Sequence, residues 1–383
     1  MDLTFTEEEQ AFRAEARTWL EANVPRPALP SGDTREGFAL HKEWERALFD
    51  ARWAVVSWPQ EYGGRDASLM EWLIFEEEYY RAGAPQRVTQ NGIFLLAPTL
   101  FELGTKEQRN RILPRMASAE ETWCQGWSEP NAGSDLAGIK SRAVRDEANG
   151  GWRLSGQKTW TTRGAFCDRL FGLFRSDPDA ERHRGLTYFL VDLHADGVTV
   201  RPVERLDGDE GFAEVFLEDV FVSDRDVLGA VHDGWRVAMA TTGSERGLTL
   251  RSPGRFMAAA ARLADLYRAH ADHADPTVRD SVVRAWIDAD AYRWQTFWTV
   301  TRLMDGGRTG PEASLVKIFW SELDVRLHET ALRLLGSRAE LVDGEDAGWM
   351  KGWEFSLSGP IYAGTNEIQR NVVAERVLGL PRR

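Results

Sequence analysis

Cysteine is scarce: Cys124 and Cys167 are the only two in 383 residues. Two thiols give neither a disulfide framework nor a metal-ligand cluster, which excludes a disulfide-stapled secreted scaffold and points to a reducing cytoplasm. Both read as small buried hydrophobes. Long uncharged apolar runs are also missing, so no membrane span is expected. The N-terminus opens acidic and amphipathic rather than basic and then apolar, and no secretory signal is expected there. Positive charge is in deficit, with 47 Lys and Arg against 60 Asp and Glu, a formal net charge of −13. That balance repels phosphate backbones and excludes nucleic acid as a partner. It leaves room for a small phosphate-bearing ligand, which needs only a local patch of Arg or Lys. Internal repeats and low-complexity linkers are absent as well.

The length suffices for two or three domains with substantial cores. Sixteen Trp is a high count, expected mostly in the core, with the remainder available to pockets or interfaces. Residues 1–120 read as a helical domain. Thr6-Glu-Glu-Glu9 has the form of a capping box, and Phe12, Ala16, Trp19 and Leu20 recur at helical spacing behind it. Pro25, Pro27 and Pro30 end that helix. Further helices are expected over 36–52, 68–82, 90–103 and 106–117, with a turn at Trp58–Gly64. Over 121–230 the period changes to short β-prone runs, such as Leu170–Phe174, Leu186–Val191 and Val215–Leu217, separated by turns at Asn149-Gly-Gly151 and Asp207-Gly208. An antiparallel barrel or sandwich is expected there. Helical periodicity returns over 231–383, with helices expected over 233–270, 277–305, 311–337 and 365–378. The class is α+β, in the order helical, β, helical.

Four segments carry chemistry. Trp127-Ser-Glu-Pro-Asn-Ala-Gly-Ser-Asp135 is a turn rich in small residues, able to approach an aromatic cofactor closely and hydrogen-bond its edge. Alone it would be an ordinary surface loop. Gln157-Lys-Thr-Trp-Thr-Thr162 offers an indole that can pack on a ring face and hydroxyls that can reach a ring edge. Gly243-Ser-Glu-Arg-Gly-Leu248 places a Glu-Arg pair inside an expected helix, a dipeptide that is most often a surface pair without function. In Ala363-Gly-Thr-Asn-Glu-Ile-Gln369, Gly364 permits close backbone approach and Thr365 can cap the helix that follows.

Taken in order and spacing, these segments and the C-terminal run Ile361–Pro381 resemble the acyl-CoA dehydrogenases, flavoenzymes that desaturate acyl-CoA thioesters. The resemblance implies an acyl-CoA dehydrogenase-like fold with an N-terminal helical domain, a middle antiparallel β domain and a C-terminal four-helix bundle. It implies FAD as cofactor, an acyl-CoA or acyl-carrier substrate, an electron-transfer flavoprotein as partner, and assembly as a homotetramer or as a heteromer with a related chain. By resemblance, Gln125, Trp127 and Ser128 lie along the isoalloxazine, Ser134 contacts flavin or CoA, Trp160 packs on the flavin face, Thr162 reaches the N5 edge, and Thr365 and Glu367 contact the flavin.

Many members carry the catalytic glutamate just before the Gly-Thr pair, where this chain has Ala363. The backbone amide of that residue serves the thioester oxygen in the family, and Ala363 keeps it, with Gly364 beside it on the substrate side. The isovaleryl-type branch and some members acting on bulky acyl groups carry the base on an earlier helix, directly before an arginine. Glu245-Arg246 matches that pair. Glu245 is the expected base and Arg246 the residue that holds the thioester or CoA arm. Two cross-subunit flavin motifs of the family are poorly matched, at His270–Arg279 and at Arg333–Ser337. The expected activity is therefore α,β-desaturation of a branched or bulky acyl-CoA. Its rivals are a non-catalytic or half-site subunit of a heteromer and an acyl-CoA oxidase-like enzyme.

Overall fold

The structure, a computed structural model, describes residues 4–246, 252–270, 275–307, 310–344 and 346–381. The chain runs through α1 (Glu7–Asn23), α2 (Arg35–Asp50), α3 (Leu69–Arg81), α4 (Ala97–Leu103) and α5 (Lys106–Ala117). The strands follow: β1 (Trp123–Gly126), β2 (Arg142–Asp146), β3 (Gly151–Lys158), β4 (Arg169–Arg175), β5 (Leu186–Asp192), β6 (Val198–Val203), β7 (Phe212–Ser223) and β8 (Val227–Leu228). The C-terminal helices are α6 (Gly234–Arg246), α7 (Pro253–His270), α8 (Pro276–Met304), α9 (Ala313–Leu335), α10 (Ala347–Ser356) and α11 (Asn366–Val372). This is the expected helical, β, helical order, and the class is α+β. The single helix expected over 233–270 is α6 and α7, with 247–251 outside the described residues. The chain forms two compact units, one of residues 1–24, 67–84 and 246–383, the other of residues 25–66 and 85–245.

In the first unit, α1 starts on the expected capping box. The Glu9 amide donates to Thr6 Oγ1 at 3.1 Å, and the Thr6 amide donates to Glu9 Oε2 at 2.8 Å. Phe12, Ala16 and Leu20 are buried, and α1 packs on α3. Charges close this contact: Arg13 and Arg17 both donate to Glu78 at 2.9 Å, Arg81 donates to it at 2.8 Å, and Arg13 also reaches Glu77 at 3.0 Å. Burial alone would raise the Glu78 carboxyl, but the three guanidiniums outweigh it and hold the group at about 2. Helices α7, α8 and α9 pack around Phe256, Leu263, Val282, Tyr292, Leu323 and Leu327. Helix α10 was not expected from the sequence. Its segment carries Gly348 and Gly352, each unfavourable in a helix interior by about 1 kcal/mol. A Cβ at Gly352 would lie 2.4 Å from His328 Nε2 on α9, so glycine there permits the close approach of α10 to α9.

The second unit holds the sheet, in strand order β6-β7-β3-β2-β4-β5-β8, with β1 on β4. Most pairs are antiparallel, as expected; β1 and β4 run parallel, and β2 meets β4 in a parallel bridge at Arg142 and Arg175. The β1–β4 pair needs the long crossover that residues 127–168 supply, a connection that local turn signals do not report. The unit's core gathers Cys124, Trp152, Leu154, Leu170, Phe189 and Val215. Both cysteines are buried and free. Among the described residues no helix is long and apolar enough to cross a membrane.

Candidate active site

In the second unit, β1 delivers the first of the chemistry-bearing segments. Gln125 is half-buried on β1, opposite Phe171 of β4. Trp127 is buried, its ring edge-on to Tyr188 at 6.3 Å, and its indole N–H has no acceptor among the described residues. Glu129 and Ala132 exchange backbone hydrogen bonds of 2.9 and 3.0 Å, which closes the turn. Ser128 is half-buried, and Ser134 is exposed.

The second segment lies directly against the first. Strand β3 ends at Lys158, and the Thr159 amide donates to Ser128 O at 2.9 Å. Trp160 then takes a left-handed backbone, φ +57°, and leaves its indole 61% exposed, edge-on to Phe212 at 5.8 Å. Thr161 and Ala213 exchange two 3.0 Å backbone bonds, while the Thr161 hydroxyl is buried without a partner among the described residues. Thr162 is half-buried in the turn that follows. Arg163 donates to Asp33 Oδ1 at 2.6 Å, and Arg205 reaches Asp33 Oδ2 at the same distance, so the end of the segment is fixed to the loop before α2.

Beneath the two segments sits a pair that sequence reasoning missed. Glu129 and Lys158 form a buried ion pair of 2.8 Å. Both belong to the motifs quoted above, but nothing local pairs residues 29 apart. The Glu129 carboxylate also accepts the amides of Lys140 at 2.6 Å and Ser141 at 3.0 Å. Burial pushes it up, but the Lys158 charge and these amides bring it below the usual carboxylate range. Burial lowers the Lys158 ammonium to about 8, against the pull of Glu129.

Helix α6 carries the Glu245-Arg246 pair at its end. It is anchored by Thr241, whose hydroxyl donates to Val237 O at 3.0 Å and lies 2.9 Å from Thr99 Oγ1 and 3.3 Å from the Tyr188 hydroxyl. Tyr188 thus joins α6 to Trp127 through packed groups. Glu245 follows Thr241 by one helical turn. The side chains of Ser244, Glu245 and Arg246 lie outside the described residues.

A further opening in this unit, of about 470 Å³, is lined by Asp177, His183, Arg184, His232, Trp235 and Arg236. The His183 and Trp235 rings lie 5.9 Å apart at 48°. Sequence reading missed this patch because its members come from two loops and the start of α6.

In the first unit, the chain reaches Ala363 in a left-handed conformation, φ +56°, and Gly364 repeats it at +79°. The Ala363 amide makes no hydrogen bond among the described residues. Its carbonyl accepts from Gln369 Nε2 at 2.8 Å. Gln369 is fully buried, and its Oε1 has no partner among the described residues. Thr365 is the N-cap of α11, accepting the Ile368 amide at 3.2 Å, as the sequence suggested. Asn366 Oδ1 is fixed by Lys317 Nζ at 2.8 Å and Ser321 Oγ at 3.2 Å. Glu367 is exposed, and its own backbone amide lowers its carboxyl.

Comparison with known proteins agrees with these motifs. The acyl-CoA dehydrogenase N-terminal, middle and C-terminal domain profiles match residues 6–120, 124–220 and 232–378. The acyl-CoA dehydrogenase IpdE1 of Mycolicibacterium smegmatis is 40% identical over 391 residues, 98% of this chain and 98% of that protein. IpdE1 of Mycobacterium tuberculosis is 39% identical over 383 residues, covering 97% and 98%. Among solved structures, the Tcur3481-Tcur3483 steroid ACAD superposes with TM-score 0.88 at 26% identity over 100% of both chains. The ChsE4-ChsE5 complex from Mycobacterium tuberculosis gives 0.83 at 27%, again over 100% of both. The chain belongs to the acyl-CoA dehydrogenase family, oxidoreductases that act on the CH–CH groups of acyl-CoA thioesters.

Proposed function

We propose that the chain is an FAD-dependent acyl-CoA dehydrogenase that introduces an α,β double bond into a branched or bulky acyl-CoA. The observation that carries this reading is the junction of segments 125–134 and 157–162. It is closed by the Thr159–Ser128 hydrogen bond and holds two buried polar groups without partners among the described residues, the Trp127 indole N–H and the Thr161 hydroxyl. Buried polar groups are rarely left unpaired, and a ring with a polar edge accounts for such a set. The residues therefore fit a flavin. Gln125, Trp127, Ser128, Trp160 and Thr162 would hold it, with Ser134 contacting flavin or CoA. Thr365 and Glu367 would add contacts from the C-terminal segment. When bound, the flavin supplies the two-electron acceptor for the β-hydrogen.

The rest of the reaction is the work of the chain's own groups. Glu245 removes the α-proton, a task that general bases perform with a typical gain of about 10²–10⁴-fold. Arg246 holds the thioester arm. The unbonded Ala363 amide donates to the thioester oxygen as negative charge develops there. Alanine at this position leaves space beside the reacting carbons, which suits a bulky acyl group, and the word "steroid" in the name of one structural neighbour is in keeping with that. The opening lined by His183, Arg184, His232 and Arg236 also carries Asp177 and Asp233, the latter paired with Arg236, so of a CoA arm it suits the base, through the Trp235 indole, more than the phosphates. An electron-transfer flavoprotein is the proposed electron acceptor, and the cytoplasm the proposed location. The exposed apolar residues Val283, Trp286, Ile287 and Trp298 along α8 are read as a contact with a copy of this chain or with a related one. A second reading, a half-site subunit of a heteromer, is favoured by Arg333-Leu-Leu-Gly-Ser337 standing in place of the usual Gln-x-x-Gly-Gly segment.

The test of the base is Glu245→Gln. The variant is expected to keep its flavin and to lose anaerobic reduction by acyl-CoA by roughly 10²–10⁴-fold. Reduction at a near wild-type rate would show that the base lies elsewhere.

A further inference from the structure

The opening at His183 and Trp235 belongs to the proposed substrate site, and the α8 face carries no sign of which partner covers it. The buried pair Glu129–Lys158 has no part in the reaction as derived, yet it lies directly under both flavin-contacting segments. Buried ion pairs are weak contributors to stability, because desolvation cancels much of the Coulomb attraction. A charged pair kept at such a place calls for a role other than stability.

The geometry supplies one. Lys158 is fully buried, and its ammonium donates to Glu129 Oε1 at 2.8 Å and to Leu173 O at 2.7 Å, with the Phe174 ring 4.6 Å away. Glu129 Oε1 also takes the Ser141 amide, and Oε2 takes that of Lys140. The pair therefore ties four pieces of chain together: the 127–132 turn, the entry to β2, the end of β3, and β4. Glu129 is the residue after Ser128, and Lys158 is two residues before Trp160. Trp160 is held in a conformation the chain does not favour on its own, with φ +57° and its indole 61% exposed. The backbone bonds of Thr159 and Thr161 flank it, and the ion pair fixes the strand end and the turn from which they come.

We infer that Glu129 and Lys158 are positioning residues that preorganise the two flavin-contacting segments, acting through Ser128 and Trp160 and touching neither flavin nor substrate. The inference rests on the flavin reading above.

The experiment compares wild type with Glu129→Gln/Lys158→Met, which removes both charges at similar volume. Apoprotein melting, FAD affinity by fluorescence quenching, and the visible absorption envelope of the bound flavin are measured. The apoprotein of the double variant should melt close to wild type, while FAD affinity falls about tenfold or more and the envelope changes. A double variant that melts like wild type and binds FAD with unchanged affinity and spectrum would overturn the inference. So would an affinity loss that merely follows a drop in melting temperature. Should the double variant fail to fold, Glu129→Asp decides: it keeps the charge but shortens the side chain by one methylene. Weaker FAD binding at near wild-type melting supports the role, and unchanged binding refutes it. Wild-type apoprotein that takes up no FAD at all would defeat the flavin reading itself, an outcome distinct from any of these.

Discussion

Ala363 lacks the side chain many family members carry at this position, and its backbone amide takes the oxyanion role in the proposed reaction. Among the described residues its amide is unbonded, the backbone is left-handed at both 363 and 364, and Gln369 Nε2 donates to its carbonyl. A left-handed conformation costs a non-glycine residue roughly 1 kcal/mol or more. Ala363→Gly is accordingly expected to leave folding intact and to stabilise by up to about 1 kcal/mol, less whatever the freer unfolded chain takes back. The denaturant midpoint checks it; a clear fall in the midpoint would mean that the alanine methyl packs rather than strains. Much of this was legible in the sequence. The loss of a carboxylate at 363, the glycine at 364 and the cap at Thr365 can all be read locally. The clamp from Gln369 was missed, since the family pattern marks that glutamine without saying what it bonds. Glu129 and Lys158 were missed for a related reason: a buried ion pair between a turn and a strand end leaves no periodic trace in the chain.

Among the elements, the contact of α1 with α3 turns on Glu78 and its three arginines. Glu78 is held at about 2 in the folded chain, against an ordinary value of 4.5. A lowered carboxyl stabilises the fold above the ordinary value, and the benefit is lost as pH falls from about 4.5 through about 2. The shift corresponds to at most about 3 kcal/mol, the exposure of Arg17 and Arg81 making the true figure smaller. Glu78→Gln should therefore lower stability near neutral pH, and the gap to wild type should close on acidification toward pH 2. Urea titrations at several pH values would show this, and a gap independent of pH would contradict it. The capping box of α1 and the stripe behind it were readable because caps and helical periodicity are local. Helix α10 was not, because two glycines mask its propensity and its stability comes from packing on α9. The parallel β1–β4 pair was likewise out of reach of turn signals.

For the whole molecule, the helical, β, helical order followed from changes of period along the chain, and matching motif order assigned the family. The central claim is narrower: that this chain alone binds FAD and uses it to desaturate an acyl-CoA with Glu245, not residue 363, as the base. The most direct measurement is the visible spectrum of the protein expressed by itself, followed anaerobically during titration with straight-chain, branched and polycyclic acyl-CoAs. The account predicts a yellow protein whose flavin band bleaches with bulky acyl-CoAs. Colourless protein, or a flavin band that no acyl-CoA bleaches, would contradict it and leave the chain as a half-site subunit awaiting its partner.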